Sequence, residues 1–208
     1  MGQLSNLKLT SNNSKSETTF ESIFPGVSFW DISYNKPSEY VQKYWKAYKD
    51  KGISNNALNG SIFELIIATL FIRENILPMY LQAKVAFIPN VEYDMVLYNK
   101  EIGPISISLK TSLRERKKQA DLEAIALKYV HRKSKCYLLS LDEYEVKCAK
   151  TDLRNGYLLG LDDVILSSSE EFDKFIEELK TRVFSEAGSI EIIKSNQVIT
   201  SEIISQHK

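Results

Sequence analysis

The sequence is poor in the residues on which several common chemistries depend. It holds two histidines and two cysteines in 208 residues. His131 ends a basic stretch and His207 lies near the C-terminus, which leaves no basis for a histidine metal cluster or a Ser-His-Asp triad. Cys136 and Cys148 lack metal-ligand spacing and have no second pair. Cys136 opens an apolar run and reads as a buried, inert thiol. No disulfide framework is expected, which suits a reducing cytoplasm. The eight glycines form no phosphate-binding loop. Net charge is also missing: 27 basic residues balance 27 acidic ones, so no global field draws the chain to nucleic acid or to a membrane. The longest apolar run, Ser61 to Ile72, contains Glu64 and is too short to span a bilayer, so no membrane partner is expected. No basic stretch followed by an apolar region opens the chain, so no signal peptide is expected. The "MGQLSN" start has Asn6 where a myristoylation signal needs Ser or Thr.

What is present describes a folded body. Hydrophobic residues make up 43%, with eleven tyrosines and nine phenylalanines, enough for one sizeable core. Residues 1–19 are mostly Ser, Asn, Thr and Lys and read as a flexible polar tail; 20–208 read as a single domain.

The pattern predicts an amphipathic helix over 37–50, opened by Pro37, striped by Val41, Tyr44, Trp45 and Tyr48, and stopped at Gly52. A second helix is expected over 59–75, capped by Asn59. Three strands follow at about 82–88, 91–98 and 104–110, then a helix over 113–131 opened by a capping box of Ser112 and Glu115. A buried strand at 136–141 comes next. Further on are a strand-like segment near 157–166, a helix over 169–184 with Phe172, Phe175, Ile176, Leu179 and Val183 on one face, and a closing hairpin with arms at 189–193 and 197–203. The order helix, three strands, helix, strand predicts an α/β fold: a mixed central sheet flanked by helices on both faces.

Strand alternation sorts the residues that carry chemistry. In "VEYDMVLY", Val91, Tyr93, Met95 and Leu97 fall on one side; Glu92, Asp94, Val96 and Tyr98 fall on the other. In "PISISLK", Ser106, Ser108 and Lys110 share a face. Pairing these two strands brings Asp94 and Lys110 together, which an exposed polar sheet face would equally explain. Glu64 is the only charge in "SIFELIIATLFI", a helix apolar almost all round. A carboxylate there needs a cation or a metal to neutralise it, and an arginine partner is the structural alternative.

On these residues the stretch from Gly60 to Glu123 resembles the PD-(D/E)XK nuclease superfamily, and in particular type II restriction endonucleases. Their core has the same element order. Glu64 matches the family's helix glutamate, Asp94 the aspartate of the second strand and Lys110 the lysine of the third. Two positions depart from the pattern. "EYD" replaces the Pro-Asp pair, and Ser108 replaces the acid two residues before the lysine. The resemblance is therefore to the branch with Ser-x-Lys, in which a glutamate of the following helix takes the missing acid's place. Three acids lie there. Glu115 belongs to the expected capping box, Asp121 falls on the side of Arg114, Lys117 and Lys128, and Glu123 borders the inward stripe of Leu113, Ala120, Ala124 and Leu127. Glu123 is preferred.

The resemblance implies a Mg²⁺-dependent, site-specific endodeoxyribonuclease acting on double-stranded DNA. Asp94, Glu64 and Glu123 would hold the metal, Lys110 would act on the attacking water, and Ser108 would assist. Arg114, Arg116, Lys117 and Lys118, at a helix start where the dipole disfavours cations, are expected on the phosphate backbone. A homodimer is expected, with dimer or tetramer left open; the tyrosines and tryptophan of the 37–50 helix serve an interface or a core. A structure-specific or repair nuclease of the same superfamily is one alternative, and a catalytically silent DNA-binding module of that fold is another. No HNH or GIY-YIG-type signature is present.

Overall fold

A computed structural model describes residues 2–53, 55–186, 193–195 and 197–207. The chain divides into two compact units. A helical unit comprises Met1–Leu77, Ser168–Thr181 and Ile199–Lys208, and a sheet unit comprises Pro78–Ser167 and Arg182–Val198.

In the helical unit the N-terminal stretch is ordered by burial rather than left as a polar tail. It forms α1 (Gln3–Asn6) and α2 (Lys15–Ile23), and Leu4, Leu7 and Leu9 are buried. The buried carboxylate of Glu17 accepts from the backbone N–H groups of Ser5 and Asn13, both at 2.7 Å. Those bonds satisfy a segment that composition alone marks as loose. After a 3₁₀ turn (Phe29–Asp31), α3 (Pro37–Asp50) starts on Pro37 as expected, and Gly52 leaves it with a positive φ. Tyr40, Tyr44 and Tyr48 are almost wholly buried, with Tyr44 stacked on Phe20 at 5.0 Å, so these rings build this unit's core.

The next helix, α4 (Asn56–Arg73), starts earlier than expected. Asn55 caps it by accepting from Leu58 N–H, while Asn59 accepts from the Tyr48 hydroxyl at 2.8 Å. Near the C-terminus lie α7 (Glu170–Lys180) and α8 (Ser201–Ser205). The apolar stripe of α7 is buried as expected, except that Val183 lies beyond the helix end and is exposed.

The sheet unit runs β1 (Met79–Val85), β2 (Tyr93–Asn99), β3 (Gly103–Lys110), α5 (Arg116–Val130), β4 (Lys135–Ser140), α6 (Glu143–Arg154) and β5 (Asp163–Leu166). Two short strands, β6 (Ile193–Lys194) and β7 (Gln197–Ile199), both pair with β1. Part of the expected closing hairpin, 189–192, lies outside the described residues, and its far arm turns helical at Ser201. The strand order is β5-β4-β3-β2-β1-β6. The pairs β1–β2 and β2–β3 are antiparallel, and β3–β4 and β4–β5 are parallel. This is the mixed α/β sheet expected. Antiparallel neighbours close with short turns, whereas each parallel pair needs a helical crossover, here α5 and α6.

The sequence reading places no element over 143–154, yet α6 forms there. Asp142 caps it by accepting from Glu145 N–H at 2.8 Å, and Val146 and Ala149 face inward. One face of the sheet, with Val96, Cys136, Leu138 and Val164, packs against Leu113, Ala120, Ala124 and Leu127, the stripe expected on α5. Cys136 is buried and its thiol is pushed up to about 11 by burial, as an inert core thiol should be.

Candidate active site

The ladder between β2 and β3 runs from Asn99–Gly103 to Met95–Ile107 and stops there. Asp94 and Ser108 are the next residues along the two strands. The Leu109 N–H beyond the last rung bonds a side chain: it donates to Asp94 Oδ2 at 2.7 Å. The same oxygen accepts from Lys110 Nζ at 2.6 Å and from Ser108 Oγ at 3.2 Å. Only about an eighth of the Asp94 and Lys110 side chains is exposed (12% and 13%), so the pair is screened far less than a surface ion pair. Three donors on one oxygen fix the plane of the carboxylate and leave Oδ1 outside that set.

Alternation predicts Tyr93 on the face away from Asp94's neighbours. The structure breaks the alternation: Tyr93 and Val96, three residues apart, join the same core with the inward stripe of α5. The irregularity is shared by β1. There Gln82, between the rungs Leu81–Met95 and Ala83–Tyr93, takes a φ of +46°. The Tyr93 ring, beside this point, reaches α5. Its hydroxyl donates to the main-chain carbonyl of Glu123 at 3.0 Å, and burial keeps the phenol protonated well above its ordinary range.

Glu123 lies within the fields of both Lys110 and Asp94. Burial raises its carboxyl above the ordinary carboxylate range, and the charge of Asp94 adds to that. The Gln119 hydrogen bond at 2.8 Å and the charge of Lys110 oppose it. Asp94, Ser108 and Lys110 are joined by hydrogen bonds, and the Tyr93 bond holds the Glu123 backbone to the strand that carries Asp94.

The other acids of α5 have different work. Asp121 is buried, and its carboxylate accepts from the backbone N–H groups of Leu159, Gly160 and Leu161 at 3.1, 2.7 and 3.2 Å. Glu115 is 91% exposed and makes no cap bond. The expected capping box does not form, because Ser112 and the Leu113 N–H are both drawn to Glu145 of α6, at 3.2 and 2.5 Å, and α5 begins only at Arg116. Glu145 thus holds the turn that leaves Lys110. Sequence reading missed it, although Asp142 three residues before Glu145 is a helix-start signal. Glu64 lies on α4 in the helical unit, partly buried among apolar neighbours.

The chain shares its architecture with a solved structure, a complex of the restriction endonuclease PspGI with substrate DNA. The TM-score is 0.54 with 18% identity, covering 88% of this chain and 87% of that one. The fold is that of a restriction endonuclease. No protein-family model matches the chain, and no curated protein does. At this identity the likeness speaks for the fold alone.

Of the cations placed on phosphate by the sequence, Lys117 is bound instead to Asp152 of α6 at 2.5 Å. Arg114, Arg116 and Lys118 are exposed, and Lys118 reaches only an exposed Glu115 at 3.9 Å. Among the described residues no group of three or more His, Cys, Asp or Glu converges as a metal cluster. Asp94 and Glu123 lie on segments that the Tyr93 hydrogen bond holds together. With the Ser108 hydroxyl they offer oxygen donors only, the chemistry a hard divalent ion such as Mg²⁺ takes, and a Mg²⁺ ion keeps several waters beside one or two carboxylates. The residues fit such an ion.

Proposed function

We propose that the protein is a Mg²⁺-dependent endonuclease that hydrolyses phosphodiester bonds of double-stranded DNA at a short specific sequence, as a type II restriction enzyme does. The observation that supports this reading is the largely buried Asp94–Lys110 pair where β2 and β3 part, with the Glu123 backbone bonded to Tyr93 beside it, on a restriction endonuclease fold.

In this reading Asp94 and Glu123 would hold the ion. Held there, such an ion would supply an acidified water and a counter-charge for the phosphoryl oxygens. Lys110 orients the attacking water, receives or relays its proton, and stabilises charge as it builds on the phosphate. Ser108, with the Leu109 N–H, keeps the Asp94 carboxylate in one orientation. Glu123 replaces the acid absent at position 108. It approaches from α5, so no strand acid is required. Arg114, Arg116 and Lys118 lie just past Lys110 and contact the phosphate backbone. A two-fold homodimer matches the symmetry of a palindromic site, and the buried tyrosines of α3 are core, not its interface.

The test is digestion of a sequenced phage genome with Mg²⁺, followed by mapping of the cut ends. Discrete fragments with a common end sequence are expected, and Asp94→Ala and Lys110→Ala should each lose cleavage by orders of magnitude. Cutting only at branched junctions would move the reading to a structure-specific nuclease. Tight DNA binding with no cleavage would move it to a silent binding module.

A further inference from the structure

The position before Asp94 carries a device that the charge pattern does not reveal. Asp94 belongs to β2 and Glu123 to α5, two elements far apart in sequence, yet one ion must meet both carboxylates. Their separation depends on how far α5 can slide or turn over the sheet. The hydroxyl of Tyr93, the residue adjoining Asp94, donates to the main-chain carbonyl of Glu123 at 3.0 Å. The bond therefore joins the side chain next to Asp94 to the backbone of Glu123 itself. A second fastening lies on the other side of α5, where the Asp121 carboxylate grips three successive backbone N–H groups at 159–161. Gly160 lets that loop lie directly on the helix: a Cβ there would meet Asp121 O at 2.4 Å, Ile125 N at 2.5 Å and the Ala124 Cβ at 2.9 Å. The helix is thus held from the sheet through residue 123 and from the loop through residue 121.

We propose that Tyr93 is a positioning residue that sets the spacing of Asp94 and Glu123 by tying the Glu123 backbone to β2. The proposal rests on the metal-site reading and deepens it. Tyr93 touches no reacting atom. It acts by preorganisation, so that the free energy of bringing α5 into place is not drawn from metal binding. Because Asp121 still holds α5, removing the Tyr93 hydroxyl leaves the unit folded while loosening the carboxylate that matters.

The test is Tyr93→Phe, with Mg²⁺ affinity measured by titration calorimetry on the DNA-free protein, alongside thermal unfolding and the Mg²⁺ dependence of cleavage. Wild type and Glu123→Gln are measured first, so that a wild-type protein without Mg²⁺ affinity is recognised as a failure of the site reading itself. Loss of one neutral hydrogen bond should weaken Mg²⁺ binding about fivefold and raise the half-saturating Mg²⁺ for cleavage by a similar factor. The rate at saturating Mg²⁺ should change less. Gly160→Ala pushes α5 from the opposite side and should weaken Mg²⁺ binding too, with a fall in melting temperature. Wild-type Mg²⁺ affinity in Tyr93→Phe, whatever its melting temperature, overturns the proposal. Wild-type affinity in Gly160→Ala does the same.

Discussion

Asp121 and Glu123 stand two residues apart on one helix, and the structure gives them opposite fates on substitution. Asp121 is 6% exposed, and its carboxylate accepts three backbone N–H bonds at 2.7–3.2 Å. A hydrogen bond to a charged group contributes about 1.5–3 kcal/mol, and buried donors left unpaired carry a desolvation cost besides. The three bonds share one carboxylate and are not additive, so Asp121→Ala should destabilise the protein by about 3–5 kcal/mol. For a chain of this size that corresponds to a melting point lower by roughly 10 °C. Glu123→Gln removes a charge held against burial, keeps an oxygen for Gln119, and should leave the melting point at neutral pH unchanged or higher. Cleavage should disappear in Glu123→Gln. In Asp121→Ala, assayed well below its melting point, it should survive at a reduced rate. Thermal unfolding of both variants, paired with a plasmid cleavage assay, reads all four quantities. An Asp121→Ala protein as stable as wild type, or a Glu123→Gln protein that still cuts, would refute the division of roles.

Further consequences concern pH, salt and the serine. The folded chain holds the Glu123 proton to higher pH than the unfolded chain, so it binds more protons in that window. Stability should therefore fall as pH rises from about the ordinary 4.5 through the raised folded value. Melting curves of wild type and Glu123→Gln should converge below that window and separate above it, with the variant the more stable. Alanine at Arg114, Arg116 or Lys118 should each lower the salt slope of DNA binding by about 0.9. Lys117→Ala should instead cost about 1 kcal/mol of stability through loss of the largely buried Asp152 pair, with little change in that slope. Ser108→Ala removes only the longest of the three bonds to Asp94 Oδ2. Cleavage should fall by about two- to tenfold, the worth of one hydrogen bond, and not by orders of magnitude.

Much of the fold is legible in the sequence because it follows from period and punctuation. Pro37 and Gly52 bound α3, alternation marks β2 and β3, and small residues at Ala120 and Ala124 mark the face of α5 that lies on the sheet. Proximity of Asp94 and Lys110 is legible for the same reason, since a hairpin of known register fixes it. What escapes are the choices made by long-range partners. Ser112 and Glu115 satisfy a local capping rule, but Glu145, thirty residues on, takes Ser112 and the Leu113 N–H, and the helix starts later. Composition marks residues 1–19 as loose, whereas Glu17 and three buried leucines order them. Strict alternation turns Tyr93 away from α5. The irregularity beside Gln82 reverses that, and its residue type does not announce it. Helical phase favours Glu123 over Asp121 for the site, yet only the contacts at 159–161 reveal what Asp121 does instead.

Asp94, Lys110 and Glu123 are proposed to form a working DNA-cleaving site although position 108 is serine. The most direct test is the single-turnover cleavage rate of DNA carrying the mapped site, with Mg²⁺, for wild type and Glu123→Gln side by side. Mg²⁺-dependent cutting by the wild type, abolished by chelation, is expected, with a rate at least a thousandfold lower (about 4 kcal/mol in the barrier) for the folded variant. Equal rates for the two proteins, or no cutting by folded wild type with Mg²⁺, would contradict the proposal.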